Sequence, residues 1–187
     1  MRTDSLTGGF TAPSFQAAHG FRAAMDAMAR PGRIVEIIGA KPPAPMSSAA
    51  GGLLLTLCDP GTPIFLAPSH DTETIRSWIA FHLGSPLTHP HEAVFALGTW
   101  ESLAPVGRFS IGTSEYPDQS CTLIVEQPEI HASGVRLTGP GIETHAALSL
   151  PETEAFQVNA SLFPLGFDCF FTSGLQAAAL PRSTRVG

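Results

Sequence analysis

One set of charged side chains in this 187-residue chain has a spacing that would bring its members together on a helix. Arg22, Asp26 and Arg30 follow one another at intervals of four residues, an interval that lines side chains along one helix edge. Such an edge could bind an anion or a partner protein. It could equally be a solvated ladder of ion pairs worth about 0.2–0.5 kcal/mol each. The spacing alone favours the solvated ladder.

His82, Arg182 and Thr184 are further candidates because each lies at or just after the end of a predicted element. His82 closes a predicted helix. It could act there as an acid, as a base or as a hydrogen-bond donor to a phosphate. Alternatively, it could be only a cation favoured by the helix dipole. Arg182 and Thr184 follow the last predicted strand. Open α/β sheets bind ligands beyond the carboxyl ends of their strands, so Arg182 could contact an anion. A solvated tail is the alternative.

His89 and His91 have the spacing of a metal-binding pair. In an extended chain, residues two apart point the same way, so both imidazoles could reach one ion. Only Glu92 stands nearby to complete a site, so a polar loop is favoured and we expect no metal. The sequence also has no GxxxxGK[ST] or GxGxxG loop, no GxSxG elbow and no HExxH motif.

The low charge content and the negative net charge limit the kinds of partner that this protein can bind. Charged residues make up 14% of the chain, against about 25% in typical soluble domains. Either the surface is rich in Ser, Thr, Gly and Pro, or part of it is buried against another protein, because interface centres are depleted in charge. The net charge of −6 argues against general nucleic-acid binding.

Cysteine usage and hydropathy predict a cytoplasmic protein. Cys58, Cys121 and Cys169 are odd in number and far apart, which indicates small buried hydrophobes in a reducing compartment. The first ten residues lack the apolar run of a signal peptide. The apolar stretch 51–58 is too short to span a bilayer.

A helix over residues 16–30 would carry the charged edge. Ser14 is its predicted N-cap, and Pro31 and Gly32 are predicted to stop it and reverse the chain. Beside the charged edge runs an apolar stripe formed by Phe21, Met25 and Met28. The pattern is that of an amphipathic helix.

The remaining pattern alternates between strands and helices. Glycine and proline clusters separate the elements, and residues 139–141 are predicted to form a tight turn. Together the elements predict one α/β domain over residues 1–187, with a mixed sheet flanked by helices and a loosely held arm at residues 1–13. The predicted strands are 33–38, 63–66, 93–97, 122–126, 135–137, 167–172 and 175–180, and the later helices are 48–57, 71–82 and 151–162.

Six phrases of the sequence, in order, resemble the PhnH family, subunits of the bacterial carbon–phosphorus lyase system for phosphonate use. The resemblance covers nearly the whole chain from Phe15 to Val186. One departure lies at residues 116–120, and Ser183 stands where a threonine is common. The phrases are FRAAMDAMARPG (21–32), TLCDPGT (56–62), FHLGSP (81–86), LTGPGI (137–142), FPLGFD (163–168) and LPRSTRV (180–186).

The resemblance implies a function, a fold and partners. Family members act with sibling subunits to transfer the ribose triphosphate portion of ATP to an alkylphosphonate, releasing adenine. The implied fold is similar to a shortened pyridoxal-phosphate-dependent transferase of the aspartate aminotransferase type, without the cofactor. Isolated members are homodimers, and in the complex this subunit joins the core from outside.

The residues themselves bear on the cofactor. A pyridoxal phosphate enzyme needs a lysine for its Schiff base, and Lys41, the only lysine, stands in a proline-rich connection. We therefore expect no pyridoxal phosphate, and no other cofactor. The cysteines lack the clustering of an iron–sulfur site.

Three roles remain open from the sequence. The subunit could share in catalysis, with Arg22, Arg30 and Arg182 at phosphate or phosphonate oxygens and His82 as an acid or donor. It could be a structural and regulatory subunit with those arginines at a protein interface, inactive alone. The third and least favoured role is a small metal-dependent hydrolase built on His89 and His91.

Overall fold

The computed structural model describes residues 6–187, which form five α-helices and nine strands. Two short 3-10 helices, Pro90–Glu92 and Val106–Arg108, complete the described elements. The α-helices are α1 Pro13–Ala29, α2 Ser48–Leu57, α3 Glu73–His82, α4 Trp100–Leu103 and α5 Glu154–Ser161. The strands are β1 Val35–Glu36, β2 Ile64–Leu66, β3 Phe95–Thr99, β4 Thr122–Glu126, β5 Val135–Thr138, β6 Ala146–Leu148, β7 Asp168–Ser173, β8 Gln176–Leu180 and β9 Arg185–Val186.

A six-stranded mixed sheet forms the centre of the fold, in the order β1-β8-β7-β4-β3-β2. The neighbours β2, β3, β4 and β7 run parallel, whereas β8 is antiparallel to β7 and β1 is antiparallel to β8. The predicted α/β class and mixed sheet are therefore confirmed. The four parallel strands share one carboxyl edge, and β8 ends at the opposite edge.

Side chains alternate between the two faces of this sheet, and each face has its own hydrophobic core. On β4, Ile124 joins the core beneath α1, α2 and α3, whereas Leu123 and Val125 join the core that contains Trp100 of α4 and Phe156 of α5. Helices therefore cover both faces, as the interleaved pattern predicts.

A second, three-stranded antiparallel sheet, ordered β6-β5-β9, was not predicted. Only β5 has a strand-like sequence, because β6 and β9 are three and two residues long. β9 exists because Val186 pairs with Leu137 of β5 and is buried there. Residues 185–186 are therefore part of the sheet rather than a solvated tail.

Helix α1 forms as predicted, but its buried face differs from the apolar stripe. The helix begins with Pro13 at its first turn, and its N-cap Ala12 makes no side-chain cap, so the predicted cap at Ser14 is wrong. The buried residues are the small Gly20, Ala24 and Ala27. A β-carbon on Gly20 would lie 2.6 Å from Thr56 Oγ1, so α1 approaches α2 too closely for large side chains. Phe21 and Met25 stay 51% and 54% exposed.

The predicted stop after α1 is confirmed by its geometry. Gly32 adopts the left-handed conformation, with φ of +90°. The predicted tight turn after β5 is also present, with the Ile142 N–H donating to the Gly139 carbonyl. Gly141 in this turn has φ of +81°, and a β-carbon there would overlap the Ala29 carbonyl oxygen at the end of α1. The turn therefore packs directly on the end of the helix.

The described part of the predicted N-terminal arm is anchored. The indole Nε1–H of Trp78 donates to the Thr7 carbonyl at 3.1 Å, and the Lys41 amide donates to the Gly8 carbonyl at 2.8 Å. Residues 7–8 are thus held against α3 and the chain after β1, more firmly than the prediction implied. Residues 1–5 of the arm lie outside the described range.

Most other predicted elements are present with shifted ends. Residues 48–57 and 122–126 match α2 and β4, whereas the strand predicted at 33–38 shrinks to the two residues of β1. Helix α3 is capped by Thr72, whose hydroxyl accepts from the Ile75 N–H, while Asp71 binds Arg76 instead. No helix within residues 6–187 is long and apolar enough to cross a membrane.

Two of the three cysteines are buried, as predicted. Cys121 and Cys169 are almost inaccessible, and Cys58 is half-buried. Burial raises the pKa of the Cys58 thiol to about 12 and that of the Cys121 thiol to about 12. These thiols are therefore poor nucleophiles and behave as small hydrophobes.

Candidate functional site at the carboxyl edge of the sheet

Polar side chains meet at the carboxyl edge of the parallel strands. Thr99 ends β3 and is in register with Glu126 at the end of β4, which is in register with Thr172 of β7. The loop after β2 brings His70 to the same edge. These four residues form the group that we call the edge cluster.

Glu126 is held by the start of helix α2. Its Oε1 accepts the backbone N–H of Ser47 at 2.6 Å, and Ser47 is also the N-cap whose hydroxyl accepts from Ala50. Only 9% of the Glu126 side chain is exposed, and burial raises the pKa of its carboxyl. The Ser47 hydrogen bonds and the nearby Thr172 hydroxyl oppose that rise. Thr172 Oγ1 itself is fully buried and meets no partner of regular geometry within the described residues.

His70 lies behind this carboxyl with 3% of its side chain exposed. Its Nδ1 is 2.9 Å from Ser69 Oγ, and that oxygen accepts the Thr99 N–H at 3.1 Å. Because Ser69 can then donate its own proton to Nδ1, we assign the neutral tautomer with the proton on Nε2. His70 Nε2 is 4.0 Å from Glu126 Oε1 and makes no hydrogen bond of regular geometry within the described residues. Burial lowers the pKa of His70, and the Pro45 carbonyl opposes this shift.

A cleft of about 390 Å³ opens beside the edge cluster. Its lining combines the Glu126 carboxyl with apolar walls and contains no arginine, lysine or histidine. The His70 imidazole and the Glu126 carboxyl, 4.0 Å apart, are too far from each other for a direct hydrogen bond. The cleft offers no cation to a phosphate. The lining residues are Thr99, Trp100, Glu101, Glu126, Gln127, Pro128, Ser149, Leu150 and Pro151.

The predicted Arg22–Asp26–Arg30 edge lies elsewhere, on α1. Asp26 pairs with Arg30 and also with Arg33, whose Nε is 3.1 Å from Asp26 Oδ2. Arg22 is exposed beside them and lines a separate open groove with His19 and Glu36. Of the predicted ladder, the Asp26–Arg30 pair is present, and Arg33 rather than Arg22 makes the second ion pair to Asp26. The role of these residues at an anion or a partner stays a prediction.

Arg182 and Thr184 lie at the amino edge of the parallel strands, because β8 runs antiparallel to β7. The premise that placed Arg182 at the ligand-binding edge is therefore wrong. The Arg182 guanidinium donates to both carboxylate oxygens of Asp168, to the Pro117 carbonyl at 2.7 Å and to the Ser120 hydroxyl. Thr184 is 2% exposed, and its hydroxyl has no partner among the described residues.

His82 ends α3 as predicted and contacts the N-terminal segment. Its Nε2 lies 3.2 Å from the Thr7 carbonyl oxygen, and its ring packs against Trp78 and Phe81. His82 stands at the carboxyl end of α3, whereas His70 of the edge cluster stands in the loop before that helix. These contacts give His82 a packing role, and its predicted role as an acid is not tested by them.

The His89 and His91 rings stack with centroids 6.2 Å apart. Glu92 accepts the Thr88 hydroxyl, and hydrogen bonding with Thr88 lowers the pKa of its carboxyl. No group of three or more potential ligands within residues 6–187 is placed to hold a metal ion.

The sequence interpretation missed the edge cluster. Its signal was present, because a polar residue ends each of three apolar runs, at Thr99, Glu126 and Thr172. Applying the strand-end rule to the parallel strands, rather than to the residues after the last strand, would have found Glu126 and Thr99. His70 could not be found this way, since it stands in a loop.

The fold and the edge cluster together define a class: an α/β protein with a mixed sheet covered on both faces and a small cleft at its carboxyl edge. Residues 8–187 match the family model described as PhnH, bacterial phosphonate metabolism protein. The chain therefore belongs to the PhnH family, as the sequence phrases indicated.

Two curated relatives match nearly the whole chain. It is 36% identical over 191 residues to the alpha-D-ribose 1-methylphosphonate 5-triphosphate synthase subunit PhnH of Rhizobium meliloti (strain 1021), which covers 96% of this chain and 94% of the relative. It is 29% identical over 189 residues to a Stutzerimonas stutzeri protein named "Putative C-P lyase subunit protein HtxG", covering 94% and 87% of the two chains.

Proposed function

We propose that this chain is a subunit of a carbon–phosphorus lyase assembly and acts with sibling subunits in the transfer of the ribose 5-triphosphate portion of ATP to an alkylphosphonate. Its similarity to the Rhizobium meliloti synthase subunit over nearly the full length of both chains supports this step. The subunit works in the cytoplasm in this proposal, and the isolated protein is a homodimer.

We infer that the subunit does not hold the triphosphate by itself. The observation that carries this inference is the dispersal of its predicted anion contacts. Arg182 is engaged by Asp168 at the amino edge, Arg30 is paired with Asp26 on α1, and the carboxyl-edge cleft is acidic. Because a triphosphate needs several converging donors, we expect the isolated chain to be inactive.

A sibling subunit is the occupant that we propose for the exposed face of α1. Phe15, Phe21 and Met25 remain exposed there because the small residues of α1 take the core-facing positions. Exposed aromatic and methionine side chains with arginine beside them are typical of interface centres, and Arg22 lies next to them. The low charge content of the chain agrees with a covered face.

Co-purification from cells that express the tagged chain with its sibling subunits tests this proposal. We expect the wild-type chain to bring down the siblings and the double variant Phe21→Glu, Met25→Glu to lose them. Val158→Glu is the matched control, since Val158 is 55% exposed on α5 across the sheet. Circular dichroism and thermal unfolding check that all three proteins are folded. Undiminished assembly of the double variant would rule out the α1 face.

The turnover assay separates the proposed role from a catalytic one. Wild-type chain alone, with ATP and methylphosphonate, should release no adenine, whereas the reconstituted assembly should release it. Release of adenine by the isolated chain would contradict the proposal.

The likeness to a shortened pyridoxal-phosphate transferase fold also belongs to the proposal. The run of parallel strands β2, β3, β4 and β7 bounded by antiparallel β8 supports it. Lys41 follows β1 in the chain and anchors the arm through its backbone. We expect added pyridoxal phosphate to give no Schiff-base absorbance with the purified protein. Superposition of an experimental structure on an aminotransferase would test the fold itself.

A further inference from the structure

The edge cluster places a nearly buried carboxyl, that of Glu126, at the wall of the cleft. His70 Nε2 and Thr172 Oγ1 are both buried and make no hydrogen bond of regular geometry within the described residues, but His70 has the Pro45 carbonyl and Thr172 has the Glu126 carboxyl as polar neighbours. Both stand beside Glu126, which reaches the cleft. The cleft therefore presents a carboxyl fixed by the Ser47 N–H between apolar walls, an arrangement suited to a small ligand with a hydrogen-bond donor.

The charge of the cleft limits what that ligand can be. Glu101 and Glu126 are its charged lining residues, and no cation lines it. A phosphate or phosphonate would be repelled here and would find no donor of the kind that such groups require. The ligand must therefore be neutral, or carry hydrogen-bond donors whose hydrogen bonds a carboxyl oxygen can accept.

The size and the apolar walls of the cleft suit a small ring. Its volume of about 390 Å³ falls within the range of small-molecule pockets. Trp100, Pro128, Leu150 and Pro151 provide apolar surface. Trp100 packs against Phe156, with ring centroids 4.8 Å apart, so its ring is held in this wall by an aromatic contact.

We propose that the carboxyl-edge cleft binds a neutral nitrogen heterocycle of purine size, with a ring amino group donating to Glu126 and the ring faces covered by the apolar wall. Ser47 fixes the carboxyl for this contact through its N–H. The choice of adenine as the base rests on the proposed function, in which ATP is the donor; the class of ligand rests on the cleft alone. Thus the subunit would hold the base while sibling subunits hold the phosphates.

Titration with adenine tests this inference, on the full chain alone and in the assembly. We expect saturable one-to-one binding by calorimetry in at least one of the two. Glu126→Gln should weaken it at least tenfold, because a hydrogen bond to a charged acceptor is typically stronger by that factor or more. Glu36→Gln, a carboxyl on the separate α1 groove, should bind adenine as the wild type does.

Nitrogen–proton NMR locates the ligand, since the chain has two tryptophans. Adenine should shift the indole resonance of Trp100, which lines the cleft, and leave that of Trp78 beneath the N-terminal segment unchanged. Trp100→Phe assigns the resonance. Thermal unfolding confirms that Glu126→Gln is folded.

Three results would overturn the inference. One is no adenine binding in either state, and a second is equal binding to Glu126→Gln. The third is displacement of adenine by methylphosphonate, tripolyphosphate or benzamidine at lower concentration, which would make the cleft an anion or cation site. Co-purification with the sibling subunits is a separate experiment. A failed adenine titration would therefore not contradict the proposed function, and failed assembly would not contradict the proposed ligand class.

Discussion

Replacement of Arg182 by alanine distinguishes a structural clamp from an anion contact. The guanidinium Nη2 lies 2.6 Å from Asp168 Oδ2, and Nε lies 3.2 Å from Asp168 Oδ1. The same group donates to the Pro117 carbonyl and the Ser120 hydroxyl, which precede β4. Arg182 therefore ties the chain after β8 to the start of β7 and to the loop before β4. Its removal leaves a carboxylate and a carbonyl without these donors.

The expected loss of stability follows from burial. Removing one partner of a fully buried ion pair typically costs about 3–5 kcal/mol. Here the side chains of Arg182 and Asp168 are 13% and 25% exposed, so water screens the remaining charge and the Asp168 Oδ1 contact with the Arg182 backbone N–H survives. We therefore expect about 2–3 kcal/mol. For a chain of this size, that corresponds to a Tm lower by roughly 4–12 °C.

Urea unfolding followed by circular dichroism measures this loss. Arg185→Ala is the matched control, because Arg185 is exposed on β9 and its change should stay within about 0.5 kcal/mol. Equal stability of the two variants would refute the clamp. So would an Arg182→Ala protein of wild-type stability that no longer supports turnover in the assembly, since that result would restore Arg182 as an anion contact.

Two further predictions concern the edge cluster and the turn after β5. Burial raises the pKa of Glu126, so the folded protein binds more protons at this residue than the unfolded chain. The contribution of Glu126 to the free energy of unfolding therefore falls as the pH rises from 4.5 through the folded pKa. Burial lowers the pKa of His70, so its contribution to stability instead rises with pH below pH 6.5. Glu126→Gln should therefore gain stability relative to the wild type as the pH rises from 4 to 7 in urea titrations, and a constant difference would contradict the assignment. Gly141→Ala should lose about 2 kcal/mol or more, because the new methyl group would overlap the Ala29 carbonyl at a φ of +81°. Gly107→Ala should leave the free energy of unfolding nearly unchanged, because a β-carbon there would meet no atom within 4 Å. Equal unfolding midpoints for the two variants would show that the turn at Gly141 accommodates a methyl group without cost.

The elements with local signals were predictable from the sequence. Helix α2 and strand β4 match their predicted ends because apolar runs of the right length are bounded by a Ser47 cap and by polar residues. The stop at Gly32 is equally local, since it needs only a residue that tolerates positive φ. In contrast, β6 and β9 depend on pairing with β5 and have almost no pattern of their own.

The face that α1 buries shows where local reasoning ended. Hydrophobic spacing singled out Phe21 and Met25, yet the close approach of α2 selects Gly20, Ala24 and Ala27 for the interior. Helix spacing is set by both partners, and the sequence of one helix does not contain the other's surface. The exposed stripe that results is the surface proposed for a sibling subunit.

By itself, the sequence determined the α/β class, the family and the main helices and strands. These depend on hydrophobic periodicity, helix caps and sequence motifs, all of which are local features of the chain. Only the tertiary structure decided the candidate site. Thr99, Glu126 and Thr172 meet because β3, β4 and β7 pair in parallel and in register, and His70 joins them through the loop after β2. The antiparallel β8 carries Arg182 to the opposite edge. Strand order and direction arise from contacts between residues far apart in the chain, and no local pattern specifies them.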